Sequence, residues 1–212
     1  MSTLTIAVFG GTGRTGQHIV RQALQAGHQV RTLARNPSKM KVVDERLTVV
    51  HGDATDGRAV AEVVAGSNAV INTVGHTKTS TPDVQTVSTQ HIVDAMQQQG
   101  MRRLVSLSGA GLDHPNDVQN FGRKLMKTMM NLLAKDVLTD AEAHAEVLRS
   151  SDLDWTVARP PRLTNGPAQG NYRTGYFAAG PGDKLSRADL ADFLLRLATG
   201  DEYVGEMPNV LY

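Results

Sequence analysis

The sequence predicts an α/β fold in which helices flank a doubly wound parallel sheet. Short apolar runs rich in β-branched residues alternate with amphipathic stretches, which is the pattern of successive βαβ units. A glycine-rich turn joins the first apolar run directly to the first amphipathic stretch. After residue 159 the composition shifts toward proline and glycine with interleaved aromatic residues, which indicates a small C-terminal region that caps a substrate pocket.

Six strands and five helices are predicted in alternation. The strands are residues 4–9, 29–34, 47–51, 69–74, 103–107 and 155–158. The helices are residues 14–26, 56–65, 82–99, 119–150 (broken in two) and 187–199. Right-handed crossovers turn this order into a doubly wound sheet. We therefore expect one domain over residues 1–212, with residues 160–182 as a loop or hairpin on the substrate side.

The helix boundaries carry their own signals. Gly27 and Gly100 stand where the first and third helices should end, because glycine readily adopts the left-handed conformation that closes a helix. Ser186 and Asp189 have the spacing of a capping box at the start of the last helix. These signals support the predicted boundaries.

The glycine turn reads Gly10-x-x-Gly13-x-x-Gly16. Gly10 permits a tight turn, Gly13 lets a pyrophosphate approach the backbone, and Gly16 lets the helix pack closely on the strand. The N-terminus of the helix then offers free N–H groups to phosphate oxygens. Because the motif follows a strand and opens a helix, it predicts dinucleotide binding. The alternative is a glycine-rich turn that binds nothing.

The end of the second strand predicts which dinucleotide binds. A chain that binds NAD usually carries Asp or Glu there to hold the ribose hydroxyls, whereas this chain carries Arg35. Together with Arg14 in the glycine turn, Arg35 is suited to a 2′-phosphate. We therefore expect NADP(H) to be preferred over NAD(H). The alternative is that Arg35 is a solvated residue stacked on adenine, with little discrimination between cofactors.

The ends of the third and fourth strands supply the remaining predicted contacts. Asp53, followed by Ala54, is placed to accept a hydrogen bond from the adenine amino group; alternatively, Asp53 or Asp56 caps the next helix. The small residues of Thr73-Val74-Gly75 let that backbone lie along the dinucleotide, or else form an ordinary strand-to-helix turn.

Composition excludes several classes of function. The net charge is +1, from 22 basic and 21 acidic residues, so no global field favours nucleic acid or an anionic membrane. The chain has no cysteine, which rules out disulfides and thiolate chemistry, and no metal site is predicted. We expect no secretion leader, no membrane span and a cytoplasmic location. The expected state is a monomer or a homodimer.

Further motifs extend over nearly the whole chain. They are Gly52-Asp53, Ser106-Leu107-Ser108-Gly109, residues 146–156, Arg159-Pro160-Pro161, residues 189–194 and residues 201–203. With the glycine turn and Arg35, these stretches resemble the atypical short-chain dehydrogenase/reductase proteins, and within them the flavin reductase/biliverdin-IXβ reductase type. The glycine turn is shared by the wider superfamily, whereas the Arg-Pro-Pro and C-terminal stretches are more particular to this branch.

The resemblance implies an NADPH-dependent reductase with a Rossmann core. It implies planar acceptors such as quinones, linear tetrapyrroles or flavins, with FMN or riboflavin as substrate. In that pattern Arg35 holds the 2′-phosphate, Asp53 meets adenine, and Ser108 lies beside the nicotinamide as the catalytic residue. The residues implied for the glycine turn are Gly10, Thr12, Gly13, Arg14, Thr15 and Gly16, and those implied for the nicotinamide and substrate pocket are Arg159, Pro160, Pro161 and Arg162.

Two departures from the family pattern bear on function. The biliverdin-reducing member has a histidine where this chain has Arg162, which argues against biliverdin reduction. No tyrosine is followed by lysine four residues later, so the acid usual for carbonyl reduction is missing. A flavin or quinone needs no such acid, because its proton can come from water. The missing acid also motivates an alternative, an NADP(H)-binding redox sensor like the NmrA-type proteins; an epimerase or dehydratase ranks below both.

Three local assignments stay open. Ser108 either orients the nicotinamide or is a strand-end serine satisfied by backbone. His76, close to the expected nicotinamide, is either an acid or a surface-loop histidine. The basic amphipathic stretch 123–133 either packs a methionine and leucine stripe on the core, contacts a membrane or partner, or mediates self-association.

Overall fold

The computed structural model describes residues 3–109, 111–118, 134–177, 180 and 182–212. At its centre is a parallel sheet of six strands: β1 (Thr5–Phe9), β2 (Gln29–Ala34), β3 (Leu47–His51), β4 (Ala69–Asn72), β5 (Arg103–Leu107) and β6 (Asp154–Ala158). Five helices are described, namely α1 (Gly16–Gln25), α2 (Gly57–Val64), α3 (Val84–Gln98), α4 (Lys135–Arg149) and α5 (Arg187–Thr199). The short strands β7 (Arg162–Thr164), β8 (Arg173–Gly175), β9 (Lys184–Ser186) and β10 (Asn209–Leu211) lie outside that sheet.

The strand order is β3-β2-β1-β4-β5-β6. The chain starts in the middle of the sheet, builds outward through β2 and β3, then crosses back to place β4 on the other side of β1. This reversal is the topological switch point of a doubly wound fold, and it opens a crevice at the carboxyl ends of the strands. The predicted α/β fold with a doubly wound sheet is confirmed.

Each face of the sheet buries its own apolar layer. Along β1, Ile6 and Val8 pack into the layer with α1 and α5, whereas Ala7 and Phe9 pack into the layer with α2, α3 and α4. All four side chains are fully buried. A central parallel strand covered on both faces has to be apolar at every position, which is why β1 reads as a continuous apolar run.

The observed element boundaries are close to the predicted ones. Gly27 and Gly100 have positive φ of 87° and 65°, as expected of residues that end α1 and α3. The third helix begins at Val84, with Asp83 at its N-cap, rather than at residue 82. Within the predicted helix 119–150 the described part is α4; residues 119–133, which include the amphipathic stretch 123–133, lie outside the described residues.

The segment 160–182, predicted as a loop or hairpin, contains the short strands β7 and β8, which do not pair with each other. Its strand β7 pairs in parallel with β9, and β8 pairs antiparallel with β10. The connection between β7 and β8 is held by Asp189. The amides of Gln169 and Gly170 donate to its carboxylate, each at 2.9 Å. The connection is thereby tied to the start of α5 instead of folding back on itself.

Asp189 is the hub of this C-terminal region. It is 1% exposed, and its carboxylate also accepts from the hydroxyls of Ser186 and Tyr212. Its own amide donates to Ser186 Oγ at 3.0 Å, so the predicted cap at Ser186 is confirmed. Burial acts to raise the pKa of Asp189, but the four hydrogen bonds that its carboxylate accepts outweigh burial and hold that pKa below its usual value.

Asp189→Asn should change both the stability and its pH dependence. A carboxyl whose pKa is lower in the folded state stabilises the fold above the unfolded-state pKa, about 3.9, and loses that contribution as the pH falls. We expect the variant to lose about 1–3 kcal/mol at neutral pH and to show a shallower decline below pH of about 5. Urea unfolding across this pH range measures both effects.

The matched control is Asp192→Asn on the same helix. The Asp192 carboxylate also accepts a tyrosine hydroxyl, from Tyr172, but this contact is exposed. Its loss should therefore cost much less than the loss of Asp189. Parallel stability curves for wild type and Asp189→Asn would contradict the assignment of Asp189 as the hub.

Candidate functional site

A cleft of about 430 Å³ lies at the carboxyl ends of β1 to β4, at the switch point of the sheet. This volume falls within the range of small-molecule sites. All of the residues predicted to bind the cofactor line it, although they come from four separate stretches of the chain. They are Gly10, Thr12, Gly13, Arg14, Thr15, Gly16, Arg35, Asp53, Ala54, Thr73, Val74 and Gly75.

The floor of the cleft is the glycine turn. Gly10 has φ of +80° and lies against the backbone of Thr73, which a Cβ would approach to 2.8 Å at its carbonyl oxygen. A Cβ at Gly16 would collide with the carbonyl oxygen of Gly10. These two positions therefore require glycine, one for its backbone conformation and both for the closeness of neighbouring backbone. A bare backbone surface results.

That surface is an anion site by its chemistry. In the described part of the chain, the amides of Thr12, Arg14 and Thr15 donate to no carbonyl or side-chain acceptor. They precede α1, which has ten residues and no acidic residue in its first turn. Free amides and the positive end of a helix dipole attract phosphate oxygens. The residues present thus fit the pyrophosphate of a dinucleotide.

Arg187 at the start of α5 adds a charge that the sequence analysis missed. It lines the same cleft as Arg14, and its guanidinium donates to Asn165 Oδ1 at 2.7 Å and to the Leu163 carbonyl oxygen at 3.3 Å. Burial, and then the charge of Arg14, lower the pKa of Arg187. Two cations held near one another favour an anion between them. No local motif signals Arg187, because only the fold brings it to the glycine turn.

Arg35 and Asp53 stand together at the far end of the cleft. Arg35 Nε lies 3.7 Å from Asp53 Oδ2, and both side chains are about half exposed. Asp53 Oδ1 accepts from the amide and hydroxyl of Thr55 at 3.0 and 2.9 Å. Burial acts to raise the pKa of Asp53, but the Thr55 hydrogen bonds and the Arg35 charge hold it below its usual value. Asp56, not Asp53, caps α2, by accepting from the Arg58 amide.

The segment after β4 forms the middle wall. Thr73 Oγ1 donates to the Phe9 carbonyl at 2.9 Å, and the Val74 amide donates to Asn72 Oδ1 at 3.0 Å. These bonds fix the segment beside the glycine turn. At Gly75, a Cβ would meet no protein atom within 4 Å, so the backbone there faces open space in the cleft.

The structure does not bring Ser108 to the wall of the cleft. The residue that lines the cleft at the end of β5 is Leu107. Ser108 is 8% exposed, and its hydroxyl finds no hydrogen-bond partner among the described residues. The alternative interpretation of Ser108 was a strand-end serine whose hydroxyl bonds to backbone, and no such bond is formed with the described residues. The catalytic role of Ser108 stays a prediction.

The structure places Arg159 in the interior, and its substrate role stays a prediction. The side chain is fully buried and its guanidinium pairs with the carboxylate of Asp117 at 2.6 and 2.7 Å. It also donates to the carbonyl oxygens of Met207 and Leu112, at 2.7 and 2.5 Å. These internal acceptors occupy the guanidinium, so Arg159 is a structural residue that ties the loop after β5 to the C-terminal segment.

The rest of that loop is also absent from the cleft wall. Pro160 is buried and Arg162 is exposed, and neither they nor Pro161 line the cleft. The wall is supplied instead by the next residue, Leu163. In β7, Leu163 is half-buried and Arg162 is exposed. The substrate role of Pro160, Pro161 and Arg162 stays a prediction.

Other residues that the sequence analysis did not assign to the cofactor cleft complete the lining. They are Leu33, Gly52, His76, Thr77, Ser80, Val84, Leu107, Leu163 and Arg187. Of these, His76 had been weighed as an acid; its Nε2 lies 2.8 Å from Oδ2 of the buried Asp140 on α4. The described residues contain no group of three His, Asp or Glu side chains arranged to hold a metal ion. In the same residues, no helix has the length and apolar character needed to cross a membrane.

Comparison with known proteins bears on this cleft. The NAD(P)H-binding family model matches residues 10–201. Among curated proteins, an uncharacterised chloroplastic protein of Arabidopsis thaliana is 30% identical over 180 residues, which are 81% of this chain and 63% of that protein. A 3-beta-hydroxysteroid dehydrogenase of Mycolicibacterium neoaurum is 35% identical over 112 residues, which are 47% of this chain and 30% of that protein. The chain therefore spans less than two thirds of the length of either relative.

A solved structure shows the same fold. The anaerobillin reductase ChuY from Escherichia coli O157:H7 superposes with a TM-score of 0.79 at 18% identity, over 97% of this chain and 96% of that one. Because the superposition covers nearly the whole of both chains, it shows that the two proteins share one fold.

Gly75→Ala tests whether a dinucleotide lies along the middle wall. A methyl group fits the protein without contact, so the thermal unfolding midpoint without nucleotide should stay unchanged. A bound dinucleotide would meet the methyl group, and we expect the NADPH dissociation constant to rise about tenfold, or ~1.4 kcal/mol. Fluorescence titration measures the affinity.

The matched control is Gly182→Ala, an exposed position outside the cleft where a Cβ also meets nothing within 4 Å. It should leave both the affinity and the unfolding midpoint unchanged. Equal NADPH affinity for Gly75→Ala and wild type would mean that the dinucleotide does not pass this wall.

Proposed function

The chain belongs to the NAD(P)H-binding family, and from that premise we propose that it is an NADPH-dependent oxidoreductase that transfers hydride to a planar acceptor, such as a flavin or quinone. The observation that carries the proposal is the continuity of one cleft. It runs from Arg35 past the glycine turn to Leu107 and Leu163, so one extended dinucleotide can reach from an anion-binding end to an apolar end.

The preference for NADPH rests on the end of β2. Arg35 is the residue that lines the cleft after this strand, and Arg14 lines it from the glycine turn. The half-exposed pair between Arg35 and Asp53 at 3.7 Å is of the kind that contributes little. The guanidinium can therefore turn to a 2′-phosphate, while Asp53 remains beside the adenine ring.

The opposite end of the cleft suits a flat, weakly polar ring. Val74, Val84, Leu107 and Leu163 line it from four different elements or loops. A reduced nicotinamide bound there supplies the hydride. The side chains of the protein stack the two rings, exclude water and keep the reacting atoms in register. The name of the curated relative from Mycolicibacterium neoaurum, a 3-beta-hydroxysteroid dehydrogenase, supports redox chemistry for this chain.

A second candidate function is an NADP(H)-binding redox sensor that regulates a partner. It is favoured by the missing Tyr-x-x-x-Lys motif together with the position of Ser108, whose hydroxyl is buried away from the cleft wall. Such a protein binds the cofactor without turnover, and its affinity for a partner differs between the oxidised and reduced forms of the cofactor.

We also propose a cytoplasmic location and a monomeric or homodimeric state. The absence of cysteine supports the proposed location. We propose no nucleic-acid partner, because a net charge of +1 provides no global positive field. Size-exclusion chromatography with light scattering tests the oligomeric state.

Turnover separates the two candidate functions. Purified protein is mixed with NADPH and, in parallel, with FMN, riboflavin or a small quinone, and the near-ultraviolet absorbance of the reduced nicotinamide is followed. We expect the absorbance to fall with at least one acceptor, and faster with NADPH than with NADH. Tight NADPH binding without turnover across all three acceptors would favour the sensor instead.

Arg35→Asp tests the selection of the cofactor. Replacing a charge-assisted contact with a repulsive one should cost about 1.5–3 kcal/mol of NADPH binding, with little effect on NADH. The two affinities are measured by titration. Arg58→Asp is the control, because Arg58 is exposed near the same edge but does not line the cleft. If both variants bind NADPH as wild type does, Arg35 does not hold the 2′-phosphate.

A further inference from the structure

We propose that His76, held in place by Asp140, donates the proton that accompanies hydride transfer in this cleft. The proposal rests on the proposed reductase function and adds an acid to it. His76 follows β4 by four residues and lines the cleft beside Gly75 and Thr77. Its side chain is 21% exposed, and the Nε2 edge of its ring is covered.

The covered edge of the ring faces a carboxylate. His76 Nε2 lies 2.8 Å from Asp140 Oδ2, and the Asp140 side chain is 1% exposed. The N–H is not directed along this line, so the contact is electrostatic rather than an aligned hydrogen bond. Catalytic hydrogen bonds of this kind are often misaligned before ligands bind and tighten in the complex. Nδ1 makes no hydrogen bond to any residue that the structure describes, which leaves it for a ligand.

Asp140 is itself held rigidly. Its two oxygens accept from the amides of Gln85 and Thr86, each at 2.9 Å, and from Thr86 Oγ1 at 2.6 Å. The local N-cap of α3, Asp83, makes no side-chain cap, so Asp140 caps that helix from α4. A carboxylate fixed by three donors cannot swing away from the ring. Asp140 is therefore a positioning residue for His76.

A second histidine near Asp140, His144, does not pair with its charge. His144, one turn further along α4, is 1% exposed, and burial lowers its pKa to about 4 despite the nearby Asp140. It is neutral at neutral pH, and its Nε2 is within 2.8 Å of Ser106 Oγ. Since His144 carries no charge at neutral pH, it does not compete with His76 for the charge of Asp140.

The other charged groups on the cleft lie along the phosphate half. They are Arg14, Arg35 and Arg187 with positive charge, and Asp53 with negative charge. The negative charge of bound phosphates would offset the positive charge of the three arginines. Asp140 is thus the charged group in direct contact with His76 among the described residues.

The step balances with one proton and one hydride. A reduced nicotinamide bound in the cleft would supply the hydride and would be oxidised, and the acceptor that gains the hydride at a ring atom would be reduced. The electron pair displaced in the acceptor moves to its carbonyl oxygen or ring nitrogen, which takes the proton from His76 Nδ1. The imidazolium becomes neutral, with Nε2–H toward Asp140, and regains a proton from solvent at its exposed edge. This pair replaces the absent Tyr-x-x-x-Lys acid.

The test compares two acceptors that differ in their need for a proton. A quinone takes hydride and a proton, whereas a planar N-methylacridinium cation takes hydride alone. With His76→Gln we expect the turnover number for the quinone to fall about 100-fold, while turnover of acridinium and the affinity for NADPH stay within about twofold.

His51→Gln is the matched control, since His51 is exposed at the end of β3 and does not line the cleft. It should behave as wild type with both acceptors. If the wild-type protein reduces neither acceptor, the proposed reductase function is wrong, and the proposed role of His76 as proton donor is wrong with it. The wild-type protein could reduce both acceptors while His76→Gln changes neither rate or slows both equally. The reductase function would then be supported, and the role of His76 as proton donor would be overturned.

A measurement without turnover tests the Asp140 contact. Nitrogen-15 NMR of the imidazoles in the wild-type protein reports which ring nitrogen of neutral His76 carries the proton. We expect Nε2–H, because Asp140 faces that atom. A proton on Nδ1 would overturn the assignment of Asp140 as the positioning residue. The wild-type experiment decides this even if variants at Asp140, which also caps α3, fail to fold.

Discussion

The close approach of backbones at the glycine turn is the constraint on which the rest of the molecule depends. Gly10 lies against the end of β4 at Thr73, a Cβ on Gly11 would meet Thr32 of β2, and Gly16 lies against the Gly10 carbonyl. Three neighbouring strands and the first helix therefore meet around a surface with no side chains. If β4 or α1 were moved outward to admit a Cβ, the parallel register beside β1 and the floor of the cleft would be lost together.

The electrostatics of the site follow from that geometry. Among the described residues, the amides before α1 have no protein acceptor, and the fold adds Arg187 from the far end of the chain beside Arg14. The protein therefore accumulates uncompensated positive charge at one place, which is stable only if solvent or an anion screens it. The acceptor end has the opposite character, with Leu107 and Leu163 as its wall. A ligand that matches both ends must be anionic at its centre and flat at one terminus.

How much of this was predictable depends on the range of the contacts. The six core strands and the phosphate turn rest on local patterns, so their residues could be named from the sequence. Arg159 shows the limit. It sits in a proline-rich stretch typical of a surface loop, and its partner Asp117 is 42 residues upstream, so nothing local indicates that the charge is buried. Asp140 is similar, because its partners Gln85 and Thr86 are about 55 residues away.

The two halves of the cleft are built differently, one from backbone and the other from side chains, and this explains how such a fold can serve different acceptors. The phosphate half is fixed by backbone contacts that tolerate no side chain at Gly10 or Gly16, so any chain with this turn must keep it nearly unchanged. The acceptor half is walled by side chains from separate elements, such as Val84 on α3 and Leu163 on β7. Each of these can change without disturbing the turn. Specificity for the acceptor can therefore vary while cofactor binding stays constant, which locates function in the site and not in the fold.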